Sequence, residues 1–321
     1  MIARRTLLTG ATALTFARPA LAAPSKDVAV RGSKAYSESS MVMSVAADGS
    51  SAVTLRVCRF PVSGFTWLWC HVLKDGVLYA FTQHDLGCTA DRLAGTSEAT
   101  YSAPTMDVAL TRKGRGARLT DVTLRAALPF HRSRTAPHGP GRVQGQLEGQ
   151  FTPTRALVAP VNAGRDEVYG TFRADVTIGG RSFIHEGAAK FHEQQQEAAR
   201  FDTPFSYGWL AGAGAASTLL LLPQGASGGW QIDDREDALA DMIIDPPGAK
   251  RRALWRMTSG PGLSGDLTAL VRYQIPIFDR RWQGSFVRGA VDGRPVVGVV
   301  NDWTTEPDIY AASIRRNAGK P

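Results

Sequence analysis

Cysteine is the first scarcity. Only Cys58, Cys70 and Cys88 occur among 321 residues, an odd number that excludes a complete disulfide framework and allows one bridge beside one thiol. Their spacings of 12 and 18 residues lack the close pair of a structural zinc site, so no metal is expected. Long blocks of one charge are also missing. Lys and Arg outnumber Asp and Glu by 37 to 29, but the longest basic run of note is Lys250-Arg251-Arg252, whereas a nucleic-acid surface gathers its cations with stacking aromatics. No nucleic-acid partner is expected. Past the N-terminus no stretch approaches eighteen consecutive apolar residues, so no stable membrane span is expected. The uncharged run from Phe205 to Leu222 is broken by Gly and Ser and reads as a pair of buried strands.

Reaction signatures are absent too. There is no Walker loop, no dinucleotide fingerprint and no Gly-x-Ser-x-Gly elbow; Ser206 lies in Phe-Ser-Tyr-Gly without a preceding glycine. Cys70 and His71 are sequence neighbours, which a strand sends to opposite faces, so they cannot form a thiolate-imidazole pair. No cofactor is expected.

What is present begins with a leader. Met-Ile-Ala-Arg-Arg, a short apolar run and an Ala-x-Ala end give residues 1–23 the character of a cleaved export signal, too short to anchor in a bilayer. Arg4-Arg5 before Thr-Leu-Leu looks like a twin-arginine signal, which implies delivery by the twin-arginine export machinery to the periplasm in a folded state. Without Arg4, Arg5 and Arg18 the formal charge falls from +8 to +5.

From Val28 onward the dominant hydrophobic period is two. Ala52–Phe60, Thr66–Leu73, Val77–Gln83, Met106–Thr111 and Val122–Leu128 read as short strands separated by turn residues, and no amphipathic helix intervenes to build parallel units. His131 to Pro160, rich in Pro and Gly, reads as an irregular crossing over a barrel mouth. Glu193 to Arg200 reads as a short helix or turn opening a second half. There the strands resume with Gly228–Ile232, Met242–Ile244, Ala253–Thr258, Leu267–Ile277 and Trp282–Val300. The expected division is 28–192 and 193–312, with a loose tail at 313–321.

An internal repeat supports two halves of one plan. Tyr169-Gly170-Thr171-Phe172, a Gly179-Gly180 turn, Ile184 and Gly187 match Gln283-Gly284-Ser285-Phe286, an Asp292-Gly293 turn, Val297 and Gly298, with one residue of slippage. Both read as hairpins whose two-residue turns need positive φ. The segment Trp282 to Trp303, with Trp282, Gly284, Gly289, Gly293, Arg294, Pro295 and Gly298, resembles the closing hairpin of the double lipocalin-like superfamily. That superfamily contains carotenoid hydratases, kievitone hydratase and uncharacterised bacterial relatives. The resemblance implies an all-β chain of two lipocalin-like antiparallel barrels in tandem. It also implies an apolar small-molecule ligand, such as an isoprenoid, polyketide or lipid, and cofactor-free hydration, isomerisation or cyclisation. A non-catalytic lipid or pigment carrier and an envelope structural module are the alternatives.

Two hairpins hold the candidate site residues. A Gly179-Gly180 turn places Phe172, Ala174, Val176, Phe183 and His185 on one apolar face, and sets Glu186 across from Arg173 on the other. His185 is therefore the candidate acid or base, although a buried histidine is most simply a core residue hydrogen-bonded to backbone. An Asp75-Gly76 turn places His71 across from Ala80, Trp69 from Thr82 and Trp67 from His84. The resulting face of Trp67, Trp69, His71, Thr82 and His84 is read as a wall lining a ligand pocket, with flat apolar surface and a few polar anchors.

Overall fold

The computed structural model describes residues 35–133, 141–159, 161, 164–198, 200–201, 203–212, 214–277 and 280–303. The leader at 1–23 and the tail at 313–321 lie outside these residues. Within them the chain is antiparallel strand throughout, relieved by a single 3-10 turn at Gly116–Arg118.

The first sheet contains β1 (Ser37–Val45), β2 (Ser51–Phe60), β3 (Phe65–Lys74), β4 (Val77–Gly87), β5 (Glu98–Ser102), β6 (Asp107–Lys113), β7 (Asp121–Ser133), β8 (Arg142–Ala156), β9 (Arg165–Ile178) and β10 (Arg181–Gln196). They are ordered β4-β3-β2-β1-β10-β9-β8-β7-β6-β5. The long strand β7 serves two partners along one edge. Its first half pairs with β6, and its end pairs with β4 through Leu78–Ala80 against His131–Ser133. That short pairing closes β4-β3-β2-β1-β10-β9-β8-β7 into a barrel and leaves β5 and β6 as a flap.

The second sheet is a closed up-and-down barrel of β11 (Phe205–Gly212), β12 (Ala215–Leu222), β13 (Gly225–Ile232), β14 (Arg235–Ile244), β15 (Lys250–Met257), β16 (Leu263–Ile277), β17 (Arg280–Val291) and β18 (Arg294–Trp303). The expected all-β fold of two tandem antiparallel barrels is what the structure has. Closure removes free edges from the second barrel, the main hazard of an all-β chain, and leaves the short β5 as an edge of the first sheet.

All three expected hairpin turns form. Asp75-Gly76, Gly179-Gly180 and Asp292-Gly293 have φ of 49° and 73°, 60° and 75°, and 46° and 77°, the paired positive values of a type I′ turn. His185 pairs with Ala174 and Glu186 with Arg173 as read from the sequence. His71 likewise pairs with Ala80 and Trp69 with Thr82, but a bulge between Thr66 and Leu68 shifts the register beyond them. The expected pairing of Trp67 with His84 is lost there.

Two expectations are corrected. The supposedly irregular stretch from His131 to Pro160 contains the whole of β8, fifteen residues long. Its inward positions include Gly145 and Gly149, where an added Cβ would lie 2.7 Å from the Phe130 ring and 2.4 Å from the Phe172 ring. Glycine there yields space to phenylalanines from neighbouring strands, so the apolar alternation is hidden. Pro153 sits at a register shift, where a ladder tolerates a missing N–H. The expected helix or turn from Glu193 is instead the end of β10, with Glu193 paired to Asp166 and His192 to Glu167.

Both barrel interiors are packed. In the first, Phe130, Phe151, Phe172, Phe191 and Tyr101 are fully buried. One end holds Glu193, which accepts from Tyr101 Oη at 2.6 Å and pairs with the Arg112 guanidinium. Glu38 pairs there with Arg59 and accepts the backbone N–H groups of Leu93 and Ala94. In the second barrel Trp230 packs edge-on against Trp255, and Arg251 grips Asp302 through both Nη atoms. A third apolar cluster belongs to neither interior. It joins the outward face of β1–β4 to the outward face of β11 and β16–β18, and includes Trp67, Trp69, Tyr207, Trp209, Tyr273, Trp282 and Trp303. The barrels therefore share a core.

Candidate functional site

The five residues read as a pocket wall lie on that shared face. The outward side of β3 carries Trp67, Trp69 and His71, all buried, with Thr82 and His84 beside them on β4. His71 stacks on Tyr273 of the second barrel at 4.3 Å between centroids, and Trp67 stacks on Phe201 at 5.7 Å. Trp69 meets Trp282 edge-on at 5.1 Å and donates its Nε1–H to His84 Nε2 at 2.7 Å. Accepting that bond suits a neutral imidazole, and burial lowers the His84 pKa to about 4, with Arg56 adding to the shift.

His185 stands elsewhere, on the inward side of β10 and wholly buried. Ser44 Oγ donates to the Ala188 carbonyl at 3.0 Å, and so is left to accept from His185 Nε2 at 2.8 Å. Ser51 Oγ then donates to Nδ1 at 2.9 Å. One neutral tautomer satisfies every group in this chain of bonds. Burial first, and Lys74 second, lower the His185 pKa to about 4.

A cavity of about 390 Å³ opens between the barrels. Its apolar side is built by Phe201, Phe205, Tyr207, Leu220, Leu222 and Trp282, and its polar side by Arg56, Arg165, His192, Gln194 and Arg200. None of the five wall residues lines it: Trp67 and Trp69 stand behind it, packed against the Phe201 and Trp282 rings, and the Arg56 guanidinium lies 4.6 Å from the Trp69 ring centre. His185 does not line it. On β10 it is seven residues from His192, about 23 Å of strand, and on the opposite face.

The polar side follows from the pleat. Arg56 projects outward from β2 between Thr54 and Cys58, while Leu55 and Val57 enter the first barrel. Lys190 and His192 project outward from β10, alternating with the inward Ala189 and Phe191. Glu167 on β9 lies across from His192, pairs with Lys190 Nζ at 2.8 Å and also pairs with Arg165. Lys190 lies 3.4 Å from His192 Nδ1 and 4.4 Å from the Tyr207 ring centre. Burial lowers the Lys190 pKa to about 7 against the opposing pull of Glu167. His192 is held well below its ordinary value by burial and then by Arg165, Lys190, Arg56 and Arg200.

Sequence reasoning did not single out Arg56, Arg165, Glu167, Lys190, His192 or Arg200. The available signal was a charged residue alternating with apolar ones inside a strand that is apolar on both faces. The cysteines take no part in a disulfide: all three are free, and Cys58 and Cys70 lie on opposite faces of the sheet.

No family model matches the chain, and no curated protein does. Solved structures do. CghA in complex with Sch210972 superposes with a TM-score of 0.57 over 84% of this chain and 88% of its own, at 14% identity. An AttH candidate from Nitrosomonas europaea gives 0.56 over 83% and 92%, at 10% identity. Kievitone hydratase from Nectria haematococca reaches 0.48 at 11% identity, over 85% and 90%, and carries no weight here. At these identities the likeness is one of fold: the chain has the two-barrel fold of CghA and the AttH candidate, as its closing hairpin led us to expect.

Proposed function

We propose that this protein binds a small molecule with a largely apolar body in the cleft between its two barrels. The cavity itself carries the reading, since about 390 Å³ falls within the range of small-molecule sites and combines aromatic walls with a few polar groups. Both barrel interiors carry their own buried aromatic side chains and ion pairs. That CghA is known with Sch210972 bound agrees with a ligand-binding role for this fold. The leader sequence supports export to the periplasm, where an isoprenoid, polyketide or lipid is the ligand class we favour.

Cofactor-free acid-base chemistry is the second reading, favoured by His192, a neutral imidazole on the cavity wall with Lys190 and Glu167 at its back. In that case proton transfer belongs to His192 rather than to His185, whose ring nitrogens are both engaged by serine hydroxyls.

Thr203 offers the test, because it lines the cavity yet is exposed, so Thr203→Trp fills the cleft without disturbing a core. Native mass spectrometry of protein isolated from its own envelope should show a co-purifying apolar molecule that Thr203→Trp reduces at least several-fold. A ligand retained in full by this variant would place binding elsewhere.

A further inference from the structure

The cavity collects more positive charge than its own carboxylates neutralise. Arg56, Arg165, Lys190 and Arg200 all bear on His192, and among the described residues Glu167 is the only carboxylate paired with any of the four. Arg165 and Lys190 share it. The other two have no carboxylate partner among the described residues, although the Cys58 sulfur acts on both. Arg200 donates Nε to Ser37 Oγ at 2.6 Å, Nη1 to Gln194 Oε1 at 3.3 Å and Nη2 to the Gln194 carbonyl at 3.3 Å. Arg56 donates Nε to Ser39 Oγ at 2.9 Å and lies against the faces of Trp69, Phe201 and Trp282.

Both guanidiniums are almost wholly buried, at 4% and 6% exposure. A buried charge without a counter-charge is among the costliest arrangements in a protein. Neutral hydrogen bonds and ring faces offset part of that cost, and an anion between the forks offsets more. Burial lowers the pKa of Arg56 only to about 9, so it keeps its charge at neutral pH.

We infer that the ligand of this cleft is an acid: an apolar molecule carrying one carboxylate, seated between Arg56 and Arg200 with its body against Phe201, Tyr207 and Trp282. This rests on the cleft being the binding site, and it adds what the cleft selects. A guanidinium fork matches the two oxygens of a carboxylate, and a desolvated pocket strengthens that match. The surrounding tryptophan and phenylalanine rings exclude water from the pair.

The test compares dodecanoate with dodecanol, which share a chain and differ at the head, by isothermal titration of the full protein. Wild type should bind the acid about ten-fold or more tightly than the alcohol, the difference expected of a charge-assisted contact. Arg56→Met and Arg200→Met should each remove most of that preference, read as the ratio of the two affinities in each variant. Arg200→Lys, which keeps the charge but not the fork, should retain part of it, and circular dichroism melts establish that each variant is folded. Equal affinity for acid and alcohol in wild type, or a preference that survives both Met substitutions, would overturn the acid assignment and leave the cleft standing. Failure to bind either probe, or binding that Thr203→Trp leaves unaltered, would overturn the cleft as well.

Discussion

The imidazole of His185 is neutral because the fold requires it: two serine hydroxyls take both ring nitrogens, and among the described residues no carboxylate pairs with it. With its pKa lowered to about 4 from an ordinary 6.5, the unfolded chain binds a proton between these values that the folded chain does not. Stability from this group is therefore present above pH 6.5 and is lost as pH falls toward 4. We expect the thermal midpoint to drop over that window, and His185→Gln to reduce the drop in part, since His84 and His192 are lowered in the same sense, while leaving ligand affinity within about two-fold. A change of affinity as large as that of Arg56→Met would return His185 to the site. Its orientation was legible from the Gly179-Gly180 turn, because the register follows from the turn residues alone. Its serine partners were not, because Ser44 and Ser51 come from strands more than a hundred residues earlier.

At the scale of single strands, legibility followed the side chains that fill the barrel. Strands such as β2, β3 and β12 present bulky apolar residues to the core and could be read directly. By contrast β8 contributes space rather than bulk, and its glycines resemble loop residues until the opposing rings are known. Gly149→Val tests that explanation. Its Cβ would lie 2.4 Å from Phe172 and 2.9 Å from the Ala174 Cβ, so the substitution should cost about 1–3 kcal/mol of overpacking, measured by chemical denaturation. Near-neutral behaviour would mean that the glycines answer to some other constraint. The end of β10 was obscured for a different reason. Lys190, His192 and Gln194 face a second barrel rather than water, so a polar alternation that normally marks a solvent face marks a buried one.

For the whole molecule, the decisive surface is the one between the barrels. From one hairpin it was evident that Trp67, Trp69 and His71 cover something. Only the second barrel shows what: Phe201, Tyr273 and Trp282 close over them and leave a cavity beside Arg56. Tyr169 Oη donates to Thr218 Oγ1 at 3.0 Å across the same seam, and the Arg155 guanidinium donates to the carbonyls of Asp233 and Asp234. These contacts fix the two barrels against each other. The proposed ligand site is accordingly a property of the pair, assembled from elements that are remote in sequence and individually read as packing.

The most direct measurement is a crystal structure with ω-bromododecanoate, using the anomalous signal of bromine to locate the chain end. Binding between the barrels predicts the carboxylate at Arg56 and Arg200, the chain running past Phe201 and Trp282, and the bromine farther along the cleft. Bromine inside the first barrel near His185, or absent from the cleft while bound elsewhere, would contradict it.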